Sequence, residues 1–274
     1  MKLRDALKGK VPEDMLGKVP SSFDIIGDVA IIEIPPELDR WKKDIAKALK
    51  DLHPRLRTVC NKTGDRSGDF RLPSLELLLG TKTETEHLEY GCRFRVDVRK
   101  AYFSAREATE RQRIAGMVKP GEKVLVMFSG VCPSPIAIAR RQPAVGGVVG
   151  VDINPDAHRY ALENIRINRA TGKVEALCGD VREVCPPLGK FDRILMPLPK
   201  GAHEFLDVAF GAAGDGALIH FYHWDREEDP FGGALRMACE EARRARRKIT
   251  VLGKRMVLPY GPGTWKVCID FRVQ

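Results

Sequence analysis

The sequence predicts an α/β protein, a doubly wound parallel sheet preceded by a smaller α+β domain. From Tyr102 onward, apolar β-rich runs alternate with helix-like stretches, the signature of strands joined by crossover helices. Before residue 100, short β-rich runs sit around turn signals instead. With 274 residues and 43% hydrophobic residues the chain can bury at least one full core, which rules out disorder as its main state. At about 100–200 residues per domain, two unequal domains are expected. We place them at 1–100 and 101–274.

Taken in order, residues 1–20 read as a short polar arm ending in Lys18-Val19-Pro20. Phe23 to Pro35 holds two β-rich runs around Gly27-Asp28, a hairpin that Pro35 stops. Leu38, Trp41, Ile45, Ala48 and Leu52 share a helical face, so Leu38 to Leu52 reads as a helix. Leu56 to Cys60, a Gly-, Asp- and Arg-rich loop from Gly64 to Arg71, the run Leu75 to Gly80 and the alternating Cys92 to Val98 complete the small module. The larger domain offers five strands: Lys123–Phe128, Gly147–Asp152, Val174–Cys178, Phe191–Met196 and Ala217–Tyr222. Apolar runs of this kind are buried on both faces. Helices are expected at Pro155–Asn168 and Glu204–Ala213, then a basic helix from Phe231 to Lys248. Ile249 to Pro259, a turn at Gly261-Pro262-Gly263 and Trp265 to Val273 read as an antiparallel hairpin.

Composition excludes several classes. No run of about 18 apolar residues occurs and the N-terminus lacks a signal peptide's apolar run, so a cytosolic protein with no membrane partner is expected. The seven cysteines are odd in number, scattered and without a C-x-x-C pair, which argues against a disulfide framework or a zinc knuckle; buried free thiols and no metal are expected. The net charge of +9 suits a polyanionic partner, and equally a merely basic surface.

Four strand ends carry the chemistry. Val124 to Met127 runs into Phe128-Ser129-Gly130-Val131-Cys132-Pro133, a tight turn before a helix-like stretch. At the carboxyl end of a first strand, Gly lets the backbone approach a nucleotide and helix amides point at it. The second strand ends in Asp152, where a carboxylate can accept both ribose hydroxyls of an adenosine. The third ends in Gly179-Asp180, where Asp180 can receive the adenine amino group. Each acid alone also suits a helix N-cap; the triple spacing favours an adenosine-bearing cofactor. The fourth strand ends in Met196-Pro197-Leu198-Pro199-Lys200, where S-adenosylmethionine enzymes often hold the target base on a Pro-containing turn; a β-turn without chemical duty is the alternative.

On these and further residues the chain resembles the archaeal and eukaryotic type of tRNA guanine-37 N1-methyltransferase, a family of class I S-adenosylmethionine-dependent enzymes. The resemblance runs from about Val19 to the C-terminus. It is most specific at Pro20 to Ala30, at Ala101-Tyr102-Phe103-Ser104 through Glu110-Arg111, at Phe128 to Val131, at Gly179 to Val184 and at Pro199 to Asp207. Some members carry a further N-terminal domain for the tRNA elbow, which this chain is expected to lack. The resemblance implies S-adenosylmethionine as cofactor, held by Phe128, Gly130, Asp152 and Asp180, with Tyr102 at the cofactor–base junction. It implies Glu110 as the base that removes the guanine N1 proton, Arg71 as a cation on O6, and Pro197 on the base-holding turn.

Guanine N1 is a poor nucleophile while protonated, so a carboxylate must take its proton as the methyl moves, and a cation must meet the charge developing at O6. A solvated helix face is the ordinary reading of Glu110, a phosphate contact or free surface position that of Arg71, and packing at the domain junction that of Tyr102. His220, His223 and Trp224 read as structural or pocket-lining.

The chain departs from the family pattern twice. Cys132 stands where the loop usually has Gly, and Pro197 replaces the Asn of an Asn-Leu-Pro motif, removing an amide side chain and a backbone N–H. A related family transfers the 3-amino-3-carboxypropyl group of the same cofactor to a wybutosine precursor at the same tRNA position, and it shares a Pro-Gly-x-Trp hairpin like Pro262 to Trp265. Methyl transfer is the favoured expectation because Tyr102 to Arg111 and Pro199-Lys200 follow the methyltransferase form. Aminocarboxypropyl transfer and a tRNA-binding homologue without catalysis are the alternatives. The tRNA partner is expected as a monomer's ligand through its anticodon stem-loop. Arg243-Arg244, Arg246-Arg247-Lys248 and Lys254-Arg255 offer a phosphate track or an ordinary solvated face.

Overall fold

The computed structural model describes residues 2–68, 70, 72–198 and 200–274, and its backbone divides into two units, Met1–Ala105 and Arg106–Gln274. Arg71 and Pro199 lie outside the described residues.

The first unit opens with two one-turn helices, α1 (Leu3–Ala6) and α2 (Glu13–Leu16). Here the expectation of a polar arm is corrected, because Leu3, Leu7, Val11, Leu16 and Val19 are buried in the same core as Ile32, Leu38, Ile45 and Leu49. Single turns are too short to display a helical stripe, so their apolar residues looked sporadic in the sequence. Strands β1 (Asp24–Ile26) and β2 (Val29–Ile32) form the expected hairpin, with Ile26 opposite Val29. Gly27 closes it at φ +56, and a Cβ there would strike the Thr85 hydroxyl and the Glu86 carbonyl. The predicted helix begins as a 3₁₀ segment, Pro36–Trp41, and becomes α3 only over Lys42–Leu52. β3 (Thr58–Ser67) runs parallel to β2 and antiparallel to β4 (Leu72–Leu79), so Gly64–Ser67 of the expected loop is strand instead. β5 (Glu84–Glu89) and β6 (Cys92–Asp97) pair separately as a ribbon.

The second unit begins with α4 (Ala108–Met117), followed by β7 (Lys123–Met127), α5 (Pro133–Arg141), β8 (Gly147–Asp152), α6 (Pro155–Ile167), β9 (Val174–Cys178), α7 (Val181–Val184) and β10 (Phe191–Met196). Then come α8 (Leu206–Ala212), β11 (Ala213–Arg226), α9 (Gly232–Arg244), β12 (Ile249–Gly261) and β13 (Thr264–Val273). The seven strands lie in the order β12-β13-β11-β10-β7-β8-β9. β9, β8, β7, β10 and β11 are mutually parallel, whereas β13 runs antiparallel to β11 and β12 antiparallel to β13. β7 is apolar and buried over Val124–Met127 because helices cover both faces. After β9 the chain returns to the other side of β7, so the strand order reverses between β7 and β10. Such a switch point opens a crevice at the carboxyl ends of the strands, where ligands of doubly wound sheets bind. Among the described residues, no helix is long and apolar enough to cross a membrane.

Candidate active site

The loop after β7 contains three residues in the left-handed region: Phe128 (φ +56), Gly130 (φ +55) and Cys132 (φ +62). What holds this strained turn is Asp152 at the end of β8. Its Oδ2 accepts the Gly130 N–H at 2.6 Å and its Oδ1 accepts the Asn154 N–H at 2.9 Å. Burial pushes this carboxyl upward, and the two N–H donors oppose that. Each oxygen keeps a further lone pair for a ribose hydroxyl. Asp152 is therefore not a helix cap; Asn154 caps α6, accepting from the Asp156 N–H at 2.9 Å.

Asp180 does cap a helix, the short α7, its Oδ1 accepting the Arg182 N–H at 2.8 Å, while the residue stays half-exposed at the end of β9. Arg182 lies over the Phe205 ring at 3.9 Å, and Phe205 meets Phe128 edge-on at 5.0 Å. Phe128, Gly130, Asp152 and Asp180 thus come together on one rim of the sheet.

Cys132 fits a position that normally asks for Gly because of Gly150 on the adjacent β8. A left-handed side chain costs about 1–2 kcal/mol. The buried thiol, pushed up to about 12 by burial, fills the space that Gly150 leaves. A Cβ on Gly150 would lie 2.9 Å from both the Cys132 Sγ and the Ser129 Oγ. Five of the seven cysteines are buried as expected; Cys178 is exposed and Cys239 intermediate.

Glu110 occupies the first turn of α4 and is buried. Its Oε1 accepts from Arg113 Nη2 at 2.7 Å and from the Tyr222 hydroxyl at 2.7 Å, and its Oε2 accepts from Arg113 Nε at 2.9 Å. The ordinary reading of a solvated helix face is thereby corrected. Burial pushes the Tyr222 phenol well up, so it stays a donor. Arg113 is anchored in turn on Asp270, with Nη1 2.6 Å from Oδ2, and Asp270 Oδ1 lies 2.6 Å from His220 Nδ1. The chain continues from His220 Nε2 to Arg193 Nη1 at 2.7 Å, and from Arg193 to Glu122 at 2.7 Å. A guanidinium only donates, so Nε2 accepts, and His220 carries its proton on Nδ1 and gives it to Asp270. Burial pulls the His220 imidazole below its usual range, consistent with a neutral ring. His220, Cys268 and Asp270 bring three potential metal-ligand atoms within 4.8 Å of one another. Arg113 and the His220 N–H already engage Asp270, which makes the cluster a hydrogen-bonded brace.

Pro197 ends the rim at β10. Its ring has no N–H to offer, and its carbonyl accepts from Lys266 Nζ at 3.2 Å. Lys266, itself buried, pairs with Glu107 at 2.8 Å and lies 4.9 Å from the centre of the Tyr222 ring. The turn and the Glu110 cluster are therefore linked through Lys266 and Tyr222. Tyr102 is half-buried in the first unit, after β6. Within the basic run, Arg247 is tied to Asp215 at 3.0 Å and Arg244 to Glu241 at 3.5 Å.

Arg113, Tyr222, Lys266 and Asp270 escaped the sequence reading. The available signal was polarity in the wrong place: Arg193, His220 and Asp270 each interrupt an otherwise apolar strand. A charged residue is rarely buried without a partner.

A nucleotide-binding rim at the switch point, beside a buried carboxylate, defines an S-adenosylmethionine-dependent methyltransferase fold. The "TRM5/TYW2 methyltransferase domain" model matches residues 85–250 and the "TYW2 N-terminal domain" model residues 3–83, so the chain belongs to the TRM5/TYW2 methyltransferase family. It is 43% identical to the tRNA (guanine(37)-N(1))-methyltransferase Trm5b of Pyrococcus abyssi, over 96% of this chain and 78% of that protein. The crystal structure of Trm5b from Pyrococcus abyssi superposes with a TM-score of 0.88, at 42% identity over 97% of this chain and 78% of the other. The tRNA(Phe) (4-demethylwyosine(37)-C(7)) aminocarboxypropyltransferase of Pyrococcus horikoshii is 32% identical over 99% of this chain and 96% of its own length. A solved complex of aTrm5 with tRNALeu matches with a TM-score of 0.88 at 32% identity, over 100% of this chain and 78% of that one.

The site fits this cofactor: Asp152 has lone pairs to spare beside Gly130, and Gly150 leaves the loop room. Gly150→Ala is expected to overpack the loop by about 1–3 kcal/mol and weaken cofactor binding about tenfold or more. Calorimetric titration with S-adenosylmethionine checks this; unchanged affinity would mean that the loop does not hold the ligand.

Proposed function

We propose that the chain transfers the methyl group of S-adenosylmethionine to N1 of guanosine 37 in tRNA. The observation that carries the reading is Glu110, a buried carboxylate held from two sides by Arg113 and Tyr222 and joined through Lys266 to the Pro197 turn. The cofactor supplies an activated methyl group. The chain's own share is alignment and proton removal: Asp152 and Gly130 receive the nucleoside, Asp180 its adenine edge, and Phe128 packs beside them. Glu110 takes the N1 proton, and its fixed partners keep it in one orientation while that happens. Arg71 and Tyr102 complete the set proposed for the base side. A base in the anticodon loop must be splayed out to reach Glu110, which a single-stranded loop makes cheap. The basic stretch from Arg243 to Lys254 is the proposed phosphate track. We further propose that the enzyme works as a cytoplasmic monomer and needs no metal.

A second reading, aminocarboxypropyl transfer, is favoured by one observation, the match of residues 3–83 to the TYW2 N-terminal model. Incubation with cofactor labelled separately in the methyl and in the carboxyl carbon separates the two, using unmodified tRNA and tRNA that carries the tricyclic precursor. Methyl label alone, in unmodified tRNA, is the expected result. Carboxyl label alone in the precursor tRNA establishes the second reading, and label in neither marks a binding protein without catalysis.

A further inference from the structure

A carboxylate offers about four acceptor positions, two on each oxygen. On Glu110, hydrogen bonds from Arg113 and Tyr222 fill both positions of Oε1, and Arg113 fills one of Oε2. Among the described residues one position of Oε2 is left, and beside it stands Arg255 of β12, whose Nε lies 3.3 Å away as an ion pair. The three neighbours differ sharply in exposure. Arg113 is braced by Asp270, Tyr222 is buried in the sheet, and Arg255 is exposed over 48% of its side chain with Glu110 as its ion-pair partner. The proton that Glu110 removes therefore has one place to go, and it arrives next to a half-exposed cation.

Guanine presents N1–H and O6 on the same edge, on adjacent ring atoms. A base that gives its N1–H to Oε2 must bring O6 alongside that oxygen, where Arg255 stands. We infer that Arg255 is a catalytic residue, a guanidinium that shifts from Glu110 to O6 of the target guanine as the base enters. In the transfer, N1 gives its proton to Oε2 and its electron pair to the methyl carbon, whose bond to sulfur breaks. Charge that collects on O6 while the proton leaves meets a donor already in place. The same shift removes Arg255 from the carboxylate, so the base is uncovered only when its substrate is seated. Arg255 lies in the second unit with Glu110 and acts on O6 in addition to the role proposed for Arg71.

This inference rests on the methyltransferase reading, and single-turnover transfer distinguishes its failure from that of the reading. Two tRNAs are used, one with guanosine at position 37 and one with 6-thioguanosine, whose sulfur is a weak acceptor. Arg255→Gln is expected to slow transfer to guanosine by about 100-fold at saturating tRNA and cofactor, the loss typical of removing one oxyanion donor. The tRNA concentration for half-maximal rate should barely move, and Arg255→Lys should recover part of the rate. With 6-thioguanosine, the ratio between unaltered enzyme and Arg255→Gln should collapse. An unchanged saturating rate with a raised half-saturating tRNA concentration would make Arg255 a phosphate contact and overturn the inference. An equal loss on both tRNAs would make Arg255 structural and overturn it as well. If the unaltered chain transfers no methyl group to guanosine, the inference falls together with the reading.

Discussion

Glu110→Gln is expected to slow methyl transfer by about 10²–10⁴-fold while leaving S-adenosylmethionine affinity nearly unchanged. The size follows from what the amide lacks. A Gln oxygen can still accept from Tyr222, but its NH₂ group cannot take a proton from guanine N1. It also turns a donor toward Arg113 or Arg255, both of which only donate. The variant loses the proton acceptor and half of the two-point grip that fixes its orientation. Cofactor binding should survive because Asp152, Gly130 and Asp180 are held by their own contacts on a different stretch of the rim. Single-turnover rates at saturating cofactor, with a parallel cofactor titration, separate these effects. Unaltered turnover would remove Glu110 from the mechanism. Equal loss of turnover and cofactor affinity would point to a collapsed rim instead.

The contrast between the rim and the Glu110 cluster shows which parts of this molecule are local. Strands Gly147–Asp152, Val174–Cys178 and Phe191–Met196 have the bounds that their apolar runs suggested. Burial on both faces leaves such runs uninterrupted, and Gly, Asp or Pro punctuates them. Asp152 and Asp180 were legible for the same reason, since each sits where its strand ends. The cluster around Glu110 was not, because its members come from α4, β11, β12 and β13. They meet only after β13 inserts antiparallel between β11 and β12. No local spacing encodes that pairing. The basic pair Lys254-Arg255 illustrates the cost: as sequence it is a patch of charge, whereas in the sheet Arg255 faces a specific carboxylate. Strand ends were also missed where the pattern turns polar, as in β11, which runs on from Tyr222 to Arg226.

Asp270→Asn is expected to cost about 3–5 kcal/mol of stability at neutral pH, the range for removing one partner of a buried ion pair. Asp270 bridges Arg113 at 2.6 Å and the His220 N–H at 2.6 Å. An Asn can satisfy the imidazole with its oxygen only by pointing its NH₂ at the guanidinium, which leaves a buried cation facing a donor. The pH dependence tests the same arrangement. Burial pushes the Asp270 carboxyl upward, but hydrogen bonds and charge from His220 and Arg113 outweigh it and hold the group below the usual carboxylate range. Its folded pKa therefore lies under the unfolded value of about 3.9, so this stabilisation is complete above about pH 4 and is lost as pH falls further. The neutral His220 acts with the same sign at higher pH, because the unfolded chain takes up its proton from about pH 6.5 downward. Urea denaturation from pH 7 to pH 3 should thus show stability falling in two stages for the unaltered protein. The variant should lose the stage below pH 4. Arg113, freed from its anchor, should also release Glu110, so methyl transfer falls although Glu110 itself is untouched. A variant with full stability and full turnover would show that the brace behind Glu110 is dispensable, and that Tyr222 and the helix alone position it.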